Sequence, residues 1–195
     1  MDGYIQTIPL FDRNELIELM SHLSHDITDW EPATILDPDN PIDTQIRKTN
    51  IHNLRDDCKS ADIITNKLNE AVAQYAQSFR HLYGDDVVLK PMITHHGSQY
   101  KRQGLQLLHY VPDDFYRWHV DEDRCGDEQA SKRVISVVLY LRSASKGGGT
   151  EFIHKAFHPK MGEVLIFPST WTYVHRAQPV IEGEKIVCVT WFEVY

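Results

Sequence analysis

The segment KIVCVTWFEV, residues 185–194, decides the fold together with three apolar segments that precede it. These segments are RVISVVLYLR (133–142), EVLIFP (163–168) and WTYVHR (171–176). All are short, rich in β-branched and aromatic residues, and separated by Gly and Pro, which is typical of β-strands. Such an alternation of strands and turns over the C-terminal half predicts an antiparallel jelly-roll barrel whose open mouth can hold a small ligand.

The N-terminal half predicts helices that support this barrel. Asp12 and Glu15 form a plausible capping box ahead of a helix that ends near Leu23. A second helix is predicted over residues 60–83, because apolar residues recur there every three or four positions and Gly84 follows as a stop. The fold class expected from both halves is α+β, mainly β: a double-stranded β-helix, or cupin-like jelly roll, with N-terminal helices.

A single catalytic domain over residues 1–195 is expected. Residues 1–95 would form the helical support with a long loop, and residues 96–195 would form the barrel that carries the active residues. The loop is residues 31–59, which are polar and rich in Pro and Asp, with one short strand predicted near residues 45–49.

His119 and Asp121 are the first candidate metal ligands. Side chains two positions apart in an extended strand leave the same face, so the imidazole and the carboxylate can bind one ion. His175, far downstream, would complete the site from a neighbouring strand. Two imidazoles and one carboxylate suit non-haem Fe(II), although zinc would tolerate the same ligands. With 11 histidines in the chain, a chance HxD pair at a strand end and a core histidine at 175 are the structural alternatives.

The last predicted strand would place a lysine inside the barrel. Alternation puts one set of residues on one face and a second set on the other: Lys185, Val187, Val189 and Trp191, against Ile186, Cys188 and Thr190. If the first set lines the barrel, Lys185 is a buried cation that needs a charged partner, and a bound dicarboxylate could supply it. The alternative is a solvated lysine at a strand start. Arg176, the neighbour of His175, is expected to face outward.

These residues resemble the iron(II)- and 2-oxoglutarate-dependent dioxygenases, and among them the prolyl 4-hydroxylases. The resemblance runs from about Leu105 to the C-terminus. It is carried by YRWHVD (116–121), by the strand from Arg133 to Tyr140 and Leu141, by GGGTEF (147–152), by VLIFP (164–168), by HRAQPVIEGEK (175–185) and by Trp191. Lysine at position 185, where many relatives use arginine, is similar to the collagen-type prolyl hydroxylases.

The resemblance implies a role for each motif residue. Fe(II) would be bound by His119, Asp121 and His175. The distal carboxylate of 2-oxoglutarate would be held by Lys185, Tyr140 and Tyr110, and substrate would be contacted by Tyr116, Arg133 and Trp191. Tyr116 and Trp191 could equally be core aromatics. The implied reaction consumes O2 and 2-oxoglutarate, hydroxylates a peptidyl substrate and releases succinate and CO2. The family resemblance also allows for ascorbate.

Two positions depart from the family pattern. The usual Pro-Gly turn after the tyrosine at 110 is replaced by Val111 to Asp114, which contains no glycine. The glycine-rich turn has Gly149 where an acidic residue is common. Residues 122–132, charged and directly after the first two ligands, form a candidate lid over the substrate.

These observations lead to three hypotheses about the function. The favoured reading is a peptidyl-proline 4-hydroxylase acting on a proline-containing peptide or protein. A second is the same chemistry on another side chain or a free small molecule, and a third is a non-catalytic cupin-like module whose metal is structural or absent.

Composition limits the classes of binding partner and the cellular compartment that are expected. The 195 residues have a net charge of −8, which provides no broad basic field for nucleic acid. Three cysteines, Cys58, Cys125 and Cys188, are widely spaced and lack a CxxC pair, which favours reduced thiols over a disulfide framework. Neither a signal peptide nor a long apolar stretch is apparent, so a cytoplasmic protein without a membrane partner is expected.

Overall fold

A computed structural model describes residues 2–35, 39–83, 100–122 and 132–194. A short 3-10 helix spans Asp2–Tyr4, and the two α-helices are α1 (Arg13–Asp26) and α2 (Lys59–Tyr83). The strands are β1 (Gln6–Pro9), β2 (Glu31–Pro32), β3 (Arg47–Lys48), β4 (Asn50–Leu54), β5 (Tyr100–Arg102), β6 (Leu105–Tyr110), β7 (Phe115–His119), β8 (Lys132–Arg142), β9 (Lys146–Gly147), β10 (Thr150–Phe152), β11 (Lys155–Phe157), β12 (Glu163–Pro168), β13 (His175–Ala177), β14 (Val180–Glu182) and β15 (Lys185–Val194).

Two antiparallel sheets form the barrel. In the described part of the chain, the major sheet has eight strands in the order β1-β12-β8-β15-β6-β4-β2, with β5 also paired to β15. The minor sheet has five strands in the order β11-β10-β13-β7-β3, and β14 pairs with β9 separately. This is a jelly roll with helices beside it, so the predicted fold class is confirmed.

The two faces of the major sheet belong to two different cores. Along β15, Cys188 packs with the residues of α1 and α2 in one core. Its neighbours Val187 and Val189 pack inside the barrel with residues such as Phe152 of the minor sheet. The alternation predicted for residues 185–194 is therefore confirmed, and it leaves one face of β15 for the cavity.

Both predicted helices are present, with small differences at their ends. The capping box of α1 is formed: the Asp12 carboxylate accepts from the backbone N–H of Glu15 at 2.9 Å, and the Glu15 carboxylate accepts from the backbone N–H of Asp12 at 2.9 Å. Helix α1 ends at Asp26, beyond the predicted Leu23. Helix α2 begins at Lys59, while the predicted stop at Gly84 lies outside the described residues.

The predicted loop over residues 31–59 is wrong in its extent, because it contains three short strands. One of them, β4, pairs with β6 over Asn50 to Leu54 and so widens the major sheet. The short strand predicted near residues 45–49 is present as β3, which pairs with β7, the strand that contains His119. The N-terminal half therefore supplies sheet edges as well as helices.

The predicted strand over residues 171–176 is also wrong, since only His175 and Arg176 of that segment lie in β13. Residues before them turn instead: the backbone N–H of Tyr173 donates to the carbonyl of Thr170 at 2.9 Å. The hydroxyls of Thr170 and Thr172 lie 3.0 Å apart. Threonine, tryptophan and tyrosine favour strands, but here local hydrogen bonds across the turn outweigh that preference.

The turn between β6 and β7 forms without the glycine that is usual at this position. Asp113 adopts a φ of 71°, the left-handed region that glycine usually occupies and that Asp tolerates better than most residues. The buried carboxylate of Asp114 then closes the turn by accepting from the backbone N–H of Val111 at 3.1 Å. It also pairs with the ammonium of Lys48 at 3.2 Å.

The second departure, Gly149, has a steric reason. A Cβ at this position would lie 2.7 Å from the backbone carbonyl oxygen of Phe157 and 2.6 Å from the His158 ring. The acidic side chain common in the family therefore does not fit between these two neighbours.

No described helix has the length and apolar character needed to cross a membrane. Cys58 and Cys188 are free thiols, as predicted, while Cys125 lies outside the described residues.

Candidate metal centre

The three predicted ligands meet at one point of the barrel. His119 ends β7 and stands directly opposite His175 of β13 in the strand pairing. Asp121, two residues beyond the end of β7, places its carboxylate 3.6 Å from His119 Nε2 and 3.7 Å from His175 Nε2. One ligand atom from each residue lies within 4.8 Å of the others. The register of β7 and β13 is therefore what assembles the cluster.

Backbone carbonyls fix the orientation of both imidazoles. Nδ1 of His119 lies 2.8 Å from the carbonyl oxygen of Arg117, and Nδ1 of His175 lies 3.0 Å from that of Tyr173. An Nδ1–H that donates to a carbonyl leaves Nε2 with a free lone pair, which is the state that binds a metal. Burial, followed by the neighbouring His175, lowers the pKa of His119 to about 3, so that ring is neutral.

The carboxylate of Asp121 is buried and held by a serine. Ser136 Oγ donates to Asp121 Oδ2 at 2.7 Å, and the Ser136 hydroxyl lies 2.8 Å from that of Ser169. Burial acts to raise the pKa of Asp121, but the imidazoles of His175 and His119 and the Ser136 hydrogen bond hold it below its usual value. The Trp191 N–H lowers it further, although its geometry falls short of a hydrogen bond.

This donor set fits a divalent transition metal. Two imidazole nitrogens and one carboxylate on one side of an ion leave positions open for other ligands, which is the arrangement of non-haem Fe(II) oxygenases. The fit is chemical as well as geometric, because the carboxylate is ionised and both Nε2 atoms converge on it. Within the described ranges, no second cluster of such residues has this geometry.

A cavity of about 300 Å³ extends from this cluster into the barrel. Its walls are largely apolar and include Leu108, Val138, Val187 and Val189. Its closed end contains Lys185, whose side chain is only 2% exposed. Pockets of this size hold small organic molecules.

Lys185 is a buried amine whose environment suits the binding of an anionic ligand. Its ammonium lies 3.9 Å from the centroid of the Tyr110 ring, and no carboxylate of the described residues forms an ion pair with it. Burial lowers the pKa of Lys185 to about 7. A dicarboxylate that reaches from the metal to this ammonium would restore its charge, so the residues present fit 2-oxoglutarate.

The two tyrosines predicted beside the co-substrate differ in position. Tyr110 lines the cavity, and burial raises its pKa to about 12, so it keeps its hydroxyl proton. Tyr140 is equally buried, but its hydroxyl lies 2.7 Å from Thr150 Oγ1, and it is Thr150 that lines the cavity. Tyr140 therefore reaches the cavity through Thr150.

The predicted substrate residues stand at the mouth of the cavity. Tyr116 is stacked on His119 with ring centroids 3.7 Å apart, and the guanidinium of Arg47 lies 4.8 Å from the Tyr116 centroid. On the other side, the guanidinium of Arg133 lies 3.9 Å from the Trp191 ring. All four residues line the cavity that contains the metal ligands. Each of the two aromatic rings therefore has an arginine side chain packed against it.

Sequence reasoning missed several of these residues. Ser136 could have been found by counting in twos back from Tyr140 along β8, since alternate residues share a face. Arg47 and Gln106 also line the cavity. Arg47 lies in the short strand predicted near residues 45–49, but its approach to Tyr116 is a contact between distant segments and left no pattern in the sequence. Arg176 faces outward, as predicted, and donates to the Glu151 carboxylate at 2.7 Å.

Known proteins are similar to this chain in sequence. The model of the 2OG-Fe(II) oxygenase superfamily matches residues 105–193. A protein of Acanthamoeba polyphaga mimivirus named for prolyl 4-hydroxylase is 29% identical over 107 residues, which is 46% of this chain and 44% of that protein. The chain thus spans less than half the length of this relative.

Two solved structures have the same fold. The viral collagen prolyl hydroxylase of Paramecium bursaria Chlorella virus-1 superposes with a TM-score of 0.68 at 19% identity, covering 98% of this chain and 97% of that one. A prolyl hydroxylase from Trichoplax adhaerens superposes with a TM-score of 0.66 at 16% identity, covering 98% and 84%.

The fold is a double-stranded β-helix, and the ligand cluster has the donor set of non-haem Fe(II) oxygenases. Residues 105–193 are similar to the 2OG-Fe(II) oxygenase superfamily, and the chain resembles proteins named for prolyl 4-hydroxylase.

Proposed function

We propose that this protein is an Fe(II)- and 2-oxoglutarate-dependent dioxygenase that hydroxylates proline in a peptide or protein, in the manner of a prolyl 4-hydroxylase. The observation that carries the proposal is the cluster of His119, Asp121 and His175 at one end of a cavity whose other end contains the buried Lys185, which has no ion-pair partner among the described residues. A metal site and an anion site in one small cavity match the two ends of an oxo-acid co-substrate.

Different residues would bind the metal and the co-substrate. His119, Asp121 and His175 would hold the metal, with their orientation set in advance by the Arg117 and Tyr173 carbonyls and by Ser136. Because these groups are already positioned, little ordering is required when the metal binds.

Lys185 would hold the distal carboxylate of 2-oxoglutarate by a charge-assisted hydrogen bond, beside the ring of Tyr110. The apolar walls between the two ends exclude water from the methylene groups. Bound Fe(II) and 2-oxoglutarate supply the oxidising chemistry: one O2 and one 2-oxoglutarate yield succinate, CO2 and one hydroxyl group on the substrate.

The mouth of the cavity suits a cyclic apolar side chain next to a polar backbone. Tyr116 and Trp191 both line the cavity, and the guanidinium groups of Arg47 and Arg133, which lie against these two rings, offer donors beside them. The names of similar proteins favour a peptide: the Trichoplax adhaerens enzyme was solved with a hypoxia inducible factor peptide fragment. The Chlorella virus enzyme is named a collagen prolyl hydroxylase and was solved with 2-oxoglutarate.

Product analysis tests this proposal. The protein would be incubated with Fe(II), 2-oxoglutarate, O2, ascorbate and a set of proline-rich peptides, and succinate and peptide mass would be measured. We expect succinate release together with one added oxygen on proline. Succinate without peptide modification would point to another side chain or a small molecule, and absence of succinate would point to a non-catalytic module.

A pair of histidine variants serves as the control. His119→Ala should abolish both succinate release and metal binding. His154→Ala, at an exposed histidine outside the cavity, should leave both unchanged. A cytoplasmic location and a lid over residues 122–132 stay predictions, and residues 123–131 lie outside the described ranges.

A further inference from the structure

Gln106 interrupts the apolar wall of the cavity. It projects from β6 into the cavity together with Leu108 and Tyr110. In the pairing of β6 with β15 it stands opposite Val189, which in turn pairs with Val138 of β8. Among the residues that the structure describes, none forms a hydrogen bond with the Gln106 carboxamide. Its cross-strand neighbour on the other side, Asn53 of β4, forms no hydrogen bond with it either, so its two N–H donors and its carbonyl oxygen are available to a ligand.

The position of Gln106 along the barrel is between the buried lysine and a metal ligand. Val189, the residue of β15 that pairs with Gln106, lies four positions after Lys185. Trp191, the residue of β15 that pairs with Ser136, lies six positions after Lys185. Ser136 is the residue that donates to the Asp121 carboxylate. From the closed end outward, the polar groups therefore follow the order ammonium, carboxamide, metal ligand.

The spacing of these groups matches the length of the co-substrate. Four residues of an antiparallel strand cover about 13 Å, and the ammonium of Lys185 stays beside Tyr110 at the lower end of this span. With bonds of about 1.5 Å, a five-carbon chain places its two carboxyl carbons about 5 Å apart. Adding the carboxylate oxygens and a hydrogen bond of about 3 Å at each end extends its reach to nearly the full span. The Gln106 side chain covers what is left.

We propose that Gln106 positions the oxo-acid end of 2-oxoglutarate by donating an amide N–H to its C1 carboxylate. The inference rests on the proposed function, and it adds a binding residue to that same cavity. Lys185 would hold the distal carboxylate and the metal would bind the oxo-acid end, but neither of them donates a hydrogen bond to the C1 carboxylate. A neutral carboxamide adds a donor beside the metal ligands without adding a charge that would compete with the metal.

A pair of ligands distinguishes this role from simple packing. The first is 2-oxoglutarate, and the second is 4-oxopentanoate, which keeps the ketone and the distal carboxylate but lacks the carboxylate next to the ketone. Affinities would be measured by calorimetry on the Zn(II)-loaded protein, so that no turnover is required. Gln106→Leu should weaken 2-oxoglutarate about 10-fold to 100-fold, the range for a hydrogen bond to a charged group. It should change 4-oxopentanoate binding less than about twofold.

Three further variants complete the design. Gln106→Glu keeps the shape of the side chain, and it should weaken 2-oxoglutarate at least as strongly because two carboxylates repel each other. Gln74→Leu makes the same change at an exposed position of α2, outside the cavity, and it should have no effect. Lys185→Met should weaken both ligands, since both contain the distal carboxylate.

Equal losses for both ligands in Gln106→Leu would overturn the inference, because they would indicate a packing defect. Loss of affinity for a proline-rich peptide with unchanged 2-oxoglutarate binding would also overturn it and would assign Gln106 to the substrate. In both cases the Lys185→Met result would leave the proposed function standing. If the wild-type protein does not bind 2-oxoglutarate at all, the proposed function and the inference are both wrong.

Discussion

Replacing Lys185 with methionine should stabilise the ligand-free protein and abolish its response to 2-oxoglutarate. The ammonium is buried without an anionic partner among the described residues, and burial lowers its pKa from 10.5 to about 7. That difference between the unfolded and the folded state corresponds to about 4 kcal/mol at pH 7. Methionine has a similar length and no charge, so it removes this cost and keeps most of the packing.

The effect should depend on pH with a definite sign. Above pH 7 the folded protein has released the Lys185 proton, whereas the unfolded chain keeps it up to pH 10.5. The free energy of unfolding of the wild type therefore gains about 1.4 kcal/mol per pH unit from this group as the pH rises from 7 to 9. The advantage of Lys185→Met over the wild type should shrink by the same amount. Comparing the two proteins cancels the contributions of other titrating groups.

Urea unfolding followed by tryptophan fluorescence measures both quantities. The metal-free proteins would be compared from pH 6.5 to pH 9, and the Zn(II)-loaded proteins would be compared at one pH with and without 2-oxoglutarate. At a ligand concentration of 100 times Kd, the wild type should gain about 2.7 kcal/mol and the variant almost nothing. Lys146→Met is the matched control, since its side chain is 62% exposed and it should change stability by less than about 0.5 kcal/mol.

Two results would refute this reasoning. A Lys185→Met protein that is less stable than the wild type would show that the lysine is not a buried, desolvated cation. A stability difference that stays constant from pH 7 to pH 9 would show that its pKa is not lowered.

Three smaller changes test other parts of the structure. Ser136→Ala removes the hydrogen bond to Asp121 and should weaken metal binding about 10-fold to 100-fold in a chelator competition. An unchanged Kd for the metal would show that this hydrogen bond does not contribute to metal binding. Asp113→Ala should lower the free energy of unfolding by about 1 kcal/mol in urea relative to Asp113→Gly, because of the left-handed φ of 71°; equal stability would contradict it. Gly149→Ala should cost about 1–3 kcal/mol in the same assay, because its Cβ would meet a carbonyl oxygen at 2.7 Å. Gly104→Ala, where nothing lies within 4 Å of a Cβ, is its control, and similar costs for both would refute the steric argument.

Those parts of the fold that follow from local patterns could be predicted from the sequence. The strands at 163–168 and 185–194 have the predicted bounds, because both are bordered by turn residues and carry long apolar alternation. The face of β15 toward the cavity followed from counting in twos. The triad was predictable because an HxD pair and a distant histidine occurred in a specific order with the surrounding motifs.

Features that depend on contacts between distant segments could not be predicted. Strand β4 is five residues long, was not predicted, and forms because the neighbouring strand β6 offers an edge. The turn at residues 170–173 overrides strand propensity by local hydrogen bonds. The pairing of Tyr140 with Thr150, which places a hydroxyl between the tyrosine and the cavity, is likewise a tertiary contact.

An anaerobic titration with Fe(II) and 2-oxoglutarate, followed by ultraviolet-visible spectroscopy, tests the central claim most directly. If His119, Asp121 and His175 bind the iron and the oxo-acid chelates it, a weak metal-to-ligand charge-transfer band should appear only when both are present. The band should be absent in His119→Ala. Failure of the wild-type protein to develop the band, or its persistence in the variant, would contradict the account.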